Sequence, residues 1–121
     1  MEYIPEFDET NGICRIRVTG KHKRPHDSRI LQQFARDFGK ERNCQRFLFD
    51  FRHARTTGGT MDAYEAGTVP VDPDHQLART KFALLFSGDL EIHKFMEDVA
   101  VNRGYKVRVF DDREQAMAWL K

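Results

Sequence analysis

Cysteine, tryptophan, proline and net charge are all scarce in this chain. Only Cys14 and Cys44 occur among its 121 residues, and they form no Cys-x-x-Cys pair. That argues against a disulfide framework, and two buried thiols in a reducing cytoplasm are expected. Lys and Arg total 20 against 19 Asp and Glu, a formal net charge of +1. Such a balance gives no single-sign field to gather nucleic acid or coat a membrane surface, so neither is expected as a partner. No apolar run approaches the ~20 residues of a membrane-spanning helix. The opening MEYIPEFDE is acidic and lacks the basic-then-apolar order of an export signal. His22, His26, His53, His75 and His93 show no metal-ligand spacing, and no metal or cofactor is expected. No Ser-His-Asp set or carboxylate pair emerges.

What is present suits one globular domain. At 14.2 kDa such a chain buries about two-thirds of the surface it exposes when unfolded. Ten Phe, three Tyr and one Trp can fill its core. Residues 3–7 read as a weak first strand, and the Asn-Gly signal in ETNG (9–12) favours a hairpin. ICRIRVTG then alternates, with Cys14, Ile16 and Val18 facing one way and Arg15, Arg17 and Thr19 the other. KHKRPHD (21–27) reads as a basic loop. It is weighed as a nucleic-acid contact and set aside for want of interleaved aromatics. Asp27 or Ser28 can cap a helix bearing Leu31, Phe34, Ala35 and Phe38 at helical spacing.

RFLFDF (46–51) is nearly continuous apolar sequence, as in a strand covered on both faces. RHARTTGGT (52–60) reads as a loop and TMDAYEAG as a short helix. TVPVDPD (68–74), with two prolines, is not regular helix and is long enough for a lid. KFALLFS (81–87) is a second central strand. A helix follows, with Ile92, Phe95, Met96, Val99 and Ala100 on one face and His93 on its polar, exposed side. Gly104 ends it. KVRVF is the last strand. In the closing stretch, Asp111 and Glu114 have capping-box spacing. An eight-residue helix must dock to be stable, and Trp119 is expected to staple it to the sheet.

This order, β-β-α-β-α-β-α-β-α, predicts an α/β domain with a mixed, mostly parallel sheet of about five strands, an N-terminal hairpin and about four helices. The segment FALLFSGD, then HKFMEDVAVNRGYKVRVFDDREQAMAWL, resembles the SpoIIAA-like bacterial branch of the STAS group, which includes anti-anti-sigma factors. The resemblance spans almost the whole chain and implies a small regulatory domain. It also implies a phosphorylation switch on an Asp-Ser-Ser-Gly-like segment after the FLFDF strand. Here that segment is ARTTGGT, without the aspartate and the serines, leaving Thr57 and Thr60, with Thr56, as hydroxyl candidates.

The same segment suggests an anion site on its own chemistry. Open α/β sheets place ligands at the C-terminal ends of strands, and two glycines allow close backbone approach. Arg52, Arg55, Thr57, Thr60 and Tyr64 are therefore the candidate ligand-binding residues. It is not a phosphate-binding loop of the Gly-rich lysine kind. Asp50, inside an apolar strand, is the candidate general base of a small enzyme. The favoured expectation is a non-enzymatic cytoplasmic regulatory or interaction module, binding a small anion or a protein partner. An open edge strand makes a homodimer possible.

Overall fold

In the computed structural model, which describes residues 1–68 and 72–121, five strands and four helices alternate in the expected order. Strand β1 (Glu2–Asp8) and strand β2 (Ile13–Lys23) form the hairpin. Helix α1 (His26–Arg42), strand β3 (Arg46–Thr57) and helix α2 (Thr60–Ala66) follow. Strand β4 (Lys81–Leu85), helix α3 (Glu91–Asn102), strand β5 (Lys106–Phe110) and helix α4 (Arg113–Leu120) complete the chain. The sheet order is β1-β2-β3-β4-β5. Only β1–β2 is antiparallel; the other three pairings are parallel. RFLFDF and KFALLF are therefore central, as their unbroken apolar character demands.

The two sheet faces bury different sets. Phe47, Phe49 and Phe51 of β3 join Phe82 and Phe86, with Leu31 and Ala35 of α1, in the larger core. The rings of Phe47, Phe49 and Phe82 stack along the strands with centroids 5.8–6.3 Å apart. Leu48 points the other way, into a smaller core with Ala83, Leu85, Phe110, Ala116 and Leu120. Helix α4 thus covers one face, and α1, α2 and α3 lie on the other.

Local chemistry explains most boundaries. Asn43 takes a left-handed conformation (φ 53) and ends α1. Gly104, at φ 92, ends α3 as its composition predicts. The α4 cap is one residue later than expected: Asp112, not Asp111, accepts from the Gln115 N–H at 3.0 Å. The docking residue also differs. Leu120 is 1% exposed, whereas Trp119 is only partly buried beside Phe110, at 5.9 Å between ring centroids.

Two segments read as loops are strand. KHK (21–23) extends β2 and RHARTT (52–57) extends β3, paired Lys21–Arg55, His22–Thr56 and Lys23–Thr57. Their polar composition concealed this, and the connection from β3 to α2 is only Gly58-Gly59. Of the lid candidate TVPVDPD, residues 69–71 lie outside the described residues.

Candidate functional site

The long β2 strand carries its alternation past Gly20. Lys21 and Lys23 are exposed, while His22 and Arg24 are 2% and 3% exposed, continuing the inward series Cys14, Ile16, Val18. Arg24 follows the strand end directly, and its N–H donates to the Thr57 carbonyl at 3.1 Å. Gly58 turns the chain beside it at φ +121; a Cβ there would lie 2.9 Å from Asp62 and 3.3 Å from the Arg24 Cβ.

The Arg24 side chain runs inward to α3. Its Nη2 donates to His93 Nδ1 at 2.7 Å, and the guanidinium sits 5.5 Å from the Phe86 ring centroid. His93 stacks flat on Phe86, 3.7 Å between centroids and 5° between planes. Because Arg24 can only donate, His93 Nδ1 accepts, which fixes a neutral imidazole with its proton on Nε2. Burial first, and the Arg24 charge second, push the His93 pKa down to about 4.

His22 has the same fate. Burial, then the neighbouring Arg24, bring its pKa to about 4. Its Nδ1 lies 3.3 Å from Thr56 Oγ1 and its Nε2 lies 3.2 Å from Ser28 Oγ. Its ring packs against Phe51 at 4.7 Å.

Among the described residues, Arg24 is a buried cation without a counter-ion. No carboxylate among the described residues pairs with it, and residues 69–71 are Val-Pro-Val, which offer no acidic side chain. Burial alone lowers its pKa to about 10, so the charge persists at neutral pH. Desolvating a charge without a partner is expensive, by several kcal/mol even after relaxation. Its surroundings include a cavity of about 80 Å3 between the sheet and helices α1, α2 and α3. His22, Arg24 and Ser28 line it where β2 and β3 finish, Gln32 lines it from α1, and Phe82, Tyr105 and Val107 line it nearer the starts of β4 and β5.

The residues named from sequence lie elsewhere. Arg52 donates to Asp50 through Nε at 3.0 Å and Nη2 at 2.9 Å, a forked pair. Burial raises the Asp50 pKa, but Arg52 outweighs it and leaves the carboxyl below its usual value. A stabilised carboxylate of this kind is a poor general base. Arg55 and Thr60 are exposed and Thr57 is partly buried. Tyr64 is 41% exposed, and its hydroxyl accepts from Arg103 Nη2 at 2.9 Å, at the end of α3. None of these residues lines the cavity. The two thiols are free and buried, and burial pushes Cys14 up to about 12. Among the described residues no group of His, Cys, Asp and Glu is arranged to hold a metal, and no helix is long and apolar enough to cross a membrane.

No family model and no curated protein matches the chain. Among solved structures it is similar to an uncharacterized protein of the DUF3478 family, with a SpoIIAA-like fold, from Shewanella loihica PV-4. The two are 16% identical; the match covers 99% of this chain and 93% of that one, with a TM-score of 0.55. The fold is SpoIIAA-like. The mixed sheet with its antiparallel edge and four helices is the architecture that the sequence resemblance implied.

The missed residues carried a signal. Positions 14, 16, 18, 20 and 22 share one strand face and position 24 continues it, so His22 and Arg24 follow from carrying the β2 alternation past Gly20. His93, Met96 and Ala100, all buried, sit at helical spacing i, i+3, i+7. The expectation of an exposed His93 is corrected: its imidazole is an inward group, held neutral by burial and by Arg24.

Proposed function

We propose that this SpoIIAA-like chain is a non-catalytic regulatory module that binds a small anion on the Arg24 guanidinium. One observation carries the reading: the Arg24 cation, only 3% exposed, lies beside a cavity with no carboxylate paired to it among the described residues. An anion entering there supplies the missing counter-charge and forms charge-assisted hydrogen bonds, the stronger kind. Binding is favoured over catalysis because the one hydroxyl–imidazole contact at the cavity, Ser28 Oγ to His22 Nε2 at 3.2 Å, uses a ring whose pKa burial brings down to about 4, a weak base that faces Thr56 Oγ1 and no carboxylate through its other nitrogen. Asp50, the candidate base, is committed to Arg52.

Arg55 and Thr60 form a second, weaker location for anions, open to water and salt. Thr57 and Thr60 are the hydroxyls to which we assign any phosphorylation. The open edge of β1 is the surface we assign to a protein partner or a second copy.

The test is thermal denaturation at constant ionic strength with inorganic phosphate, acetate or neither. A ligand of the folded state at one hundred times its Kd adds about 2.7 kcal/mol. We expect at least one anion to stabilise the natural chain saturably, to do so equally in Arg52→Ala/Arg55→Ala, and to lose its effect in Arg24→Gln. Equal protection of the natural chain and Arg24→Gln refutes the reading.

A further inference from the structure

We propose that the outer face of the ribbon where β2 and β3 run on together docks double-stranded DNA, held through its phosphate backbone without regard to base sequence. This surface is separate from the Arg24 cavity and takes a different partner. Geometry, charge and the absence of apolar groups each support it.

Among the described residues, β1 pairs with β2 only as far as Thr19, and β4 pairs with β3 only as far as Asp50. Beyond them residues 20–23 and 54–57 form a two-stranded ribbon, roughly 13 Å long at about 3.3 Å per residue. Its inner side is fixed, because His22 meets Thr56 there and reaches Ser28 of α1. Its outer side therefore carries Lys21, Lys23, Arg55 and Thr57. Helix α4 packs on Leu48, Ala83, Leu85 and Phe110, short of this end, and leaves the outer side open.

Lys21, Lys23 and Arg55 are exposed, as is Arg17 further back on the same face of β2. None of the four enters an ion pair among the described residues. Lys21 stands directly beside Arg55 across the ribbon, where like charges are destabilising. The carboxylates of this face are mostly engaged: Arg52 holds Asp50 and Arg15 holds Glu6. Glu2, level with Thr19, offsets one charge. The chain's net charge of +1 does not describe such a patch. Charges further off than about 8 Å are largely screened at physiological salt, so a partner in contact meets the patch itself. On that ground the sequence expectation against nucleic acid is revised.

The face also lacks what other partners need. Interfaces between proteins centre on aromatic and large apolar side chains and are poor in lysine. The outward residues of the ribbon are all polar, and exposed Ile4 lies outside it, beside Arg17 on β1. A single strand needs aromatic platforms for its bases, and the ribbon presents no Phe, Tyr or Trp. Protein–DNA interfaces are polar and strongly positive. The major groove of B-form DNA, about 12 Å wide, admits a two-stranded ribbon, whereas that of A-form RNA is too deep and narrow. With its inner side seated on α1, this ribbon lies across the groove mouth, where its cations reach phosphates and not base edges.

The experiment is fluorescence anisotropy of a labelled duplex with the full chain, in KCl from about 25 to 200 mM. Four neutralised phosphates give a slope of log K against log salt of about −3.6. Kd should be about 100 μM at physiological salt, the weak end of non-specific binding, and roughly 150-fold tighter at a quarter of that salt. Lys21→Gln/Lys23→Gln should halve the slope, to about −1.8. Lys94→Gln/Lys106→Gln makes the same charge change on α3 and β5 and should leave it unaltered. All four lysines are exposed, and a thermal melt of each variant checks that the fold is kept. Equal losses from the two pairs overturn the surface. A single strand or a polyglutamate peptide bound more tightly than the duplex overturns the partner. No saturable binding at the lowest salt overturns the proposal outright, and the reading of Arg24 stands or falls separately.

Discussion

Lowering the pH from 7 to 5 should destabilise this protein through two rings, His22 and His93. Both have a folded pKa of about 4 against an ordinary 6.5. The depressed value means that the unfolded chain takes up protons first as the pH falls. Stability from the neutral rings is therefore complete above about 6.5, shrinks between 6.5 and 4, and is gone below 4. At pH 5 the loss is roughly 2 kcal/mol per ring, about 4 kcal/mol for the pair, at 1.36 kcal/mol per pH unit. Against a typical total of 5–15 kcal/mol, that is a large share.

The charges facing these rings fix the sign. Arg24 opposes protonation of both; Asp27 favours it at His22 and Asp89 at His93, each less strongly than burial opposes it. Asp50 has its carboxyl pKa lowered below 3.8, so its contribution disappears only beneath the histidine window. The measurement is urea denaturation at half-unit steps from pH 7.5 to 4.5. The limiting slope is about 2.7 kcal/mol per pH unit, for two protons. His93→Gln preserves an acceptor for Arg24 and should remove about half of that slope, as should His22→Gln. A midpoint unchanged between pH 7 and 5 would show that the rings are not buried neutral, and the Arg24 geometry would fall with them.

At the carboxy terminus, Leu120→Ala should cost about 2–5 kcal/mol, as for a buried leucine. Trp119→Ala should cost less, about 1–2 kcal/mol, because its ring is only partly covered by Phe110 and by Lys81 Nζ at 5.2 Å; chemical denaturation ranks the two, and the reverse order refutes this docking. Gly67→Ala should cost about 1–3 kcal/mol by overpacking, since its Cβ would lie 2.8 Å from the Met96 carbonyl and 2.9 Å from Val99 Cβ. A thermal midpoint matching the natural chain would mean that α2 and α3 part freely.

The sheet was legible because its chemistry is redundant. RFLFDF and KFALLF are apolar on successive residues, so they can only lie between two covering layers, and a short helix, α2, separates them. The ends of the strands were not legible in the same way. KHK and RHARTT carry the composition of loops, yet they pair with each other over four consecutive residues from Gly20–Ala54 to Lys23–Thr57. Backbone hydrogen bonds hold this extension, and backbone bonds leave little trace in side-chain type.

The site was hidden for the opposite reason. Pattern reading assigns a charged residue to water because burying a charge is normally unfavourable. Arg24 violates that rule, and it does so where β2 and β3 end together, the place where parallel sheets gather ligands. Its neighbours are arranged around the violation: His93 accepts one N–H, Phe86 offers its face, and Thr57 receives the backbone N–H. Each softens the burial of a positive charge without cancelling it. Arg52 shows the contrast on the same sheet, since its charge is satisfied locally by Asp50 two residues away. Natural sequences break a local rule mainly where function requires it, and an uncancelled buried charge is a standing affinity for the opposite one.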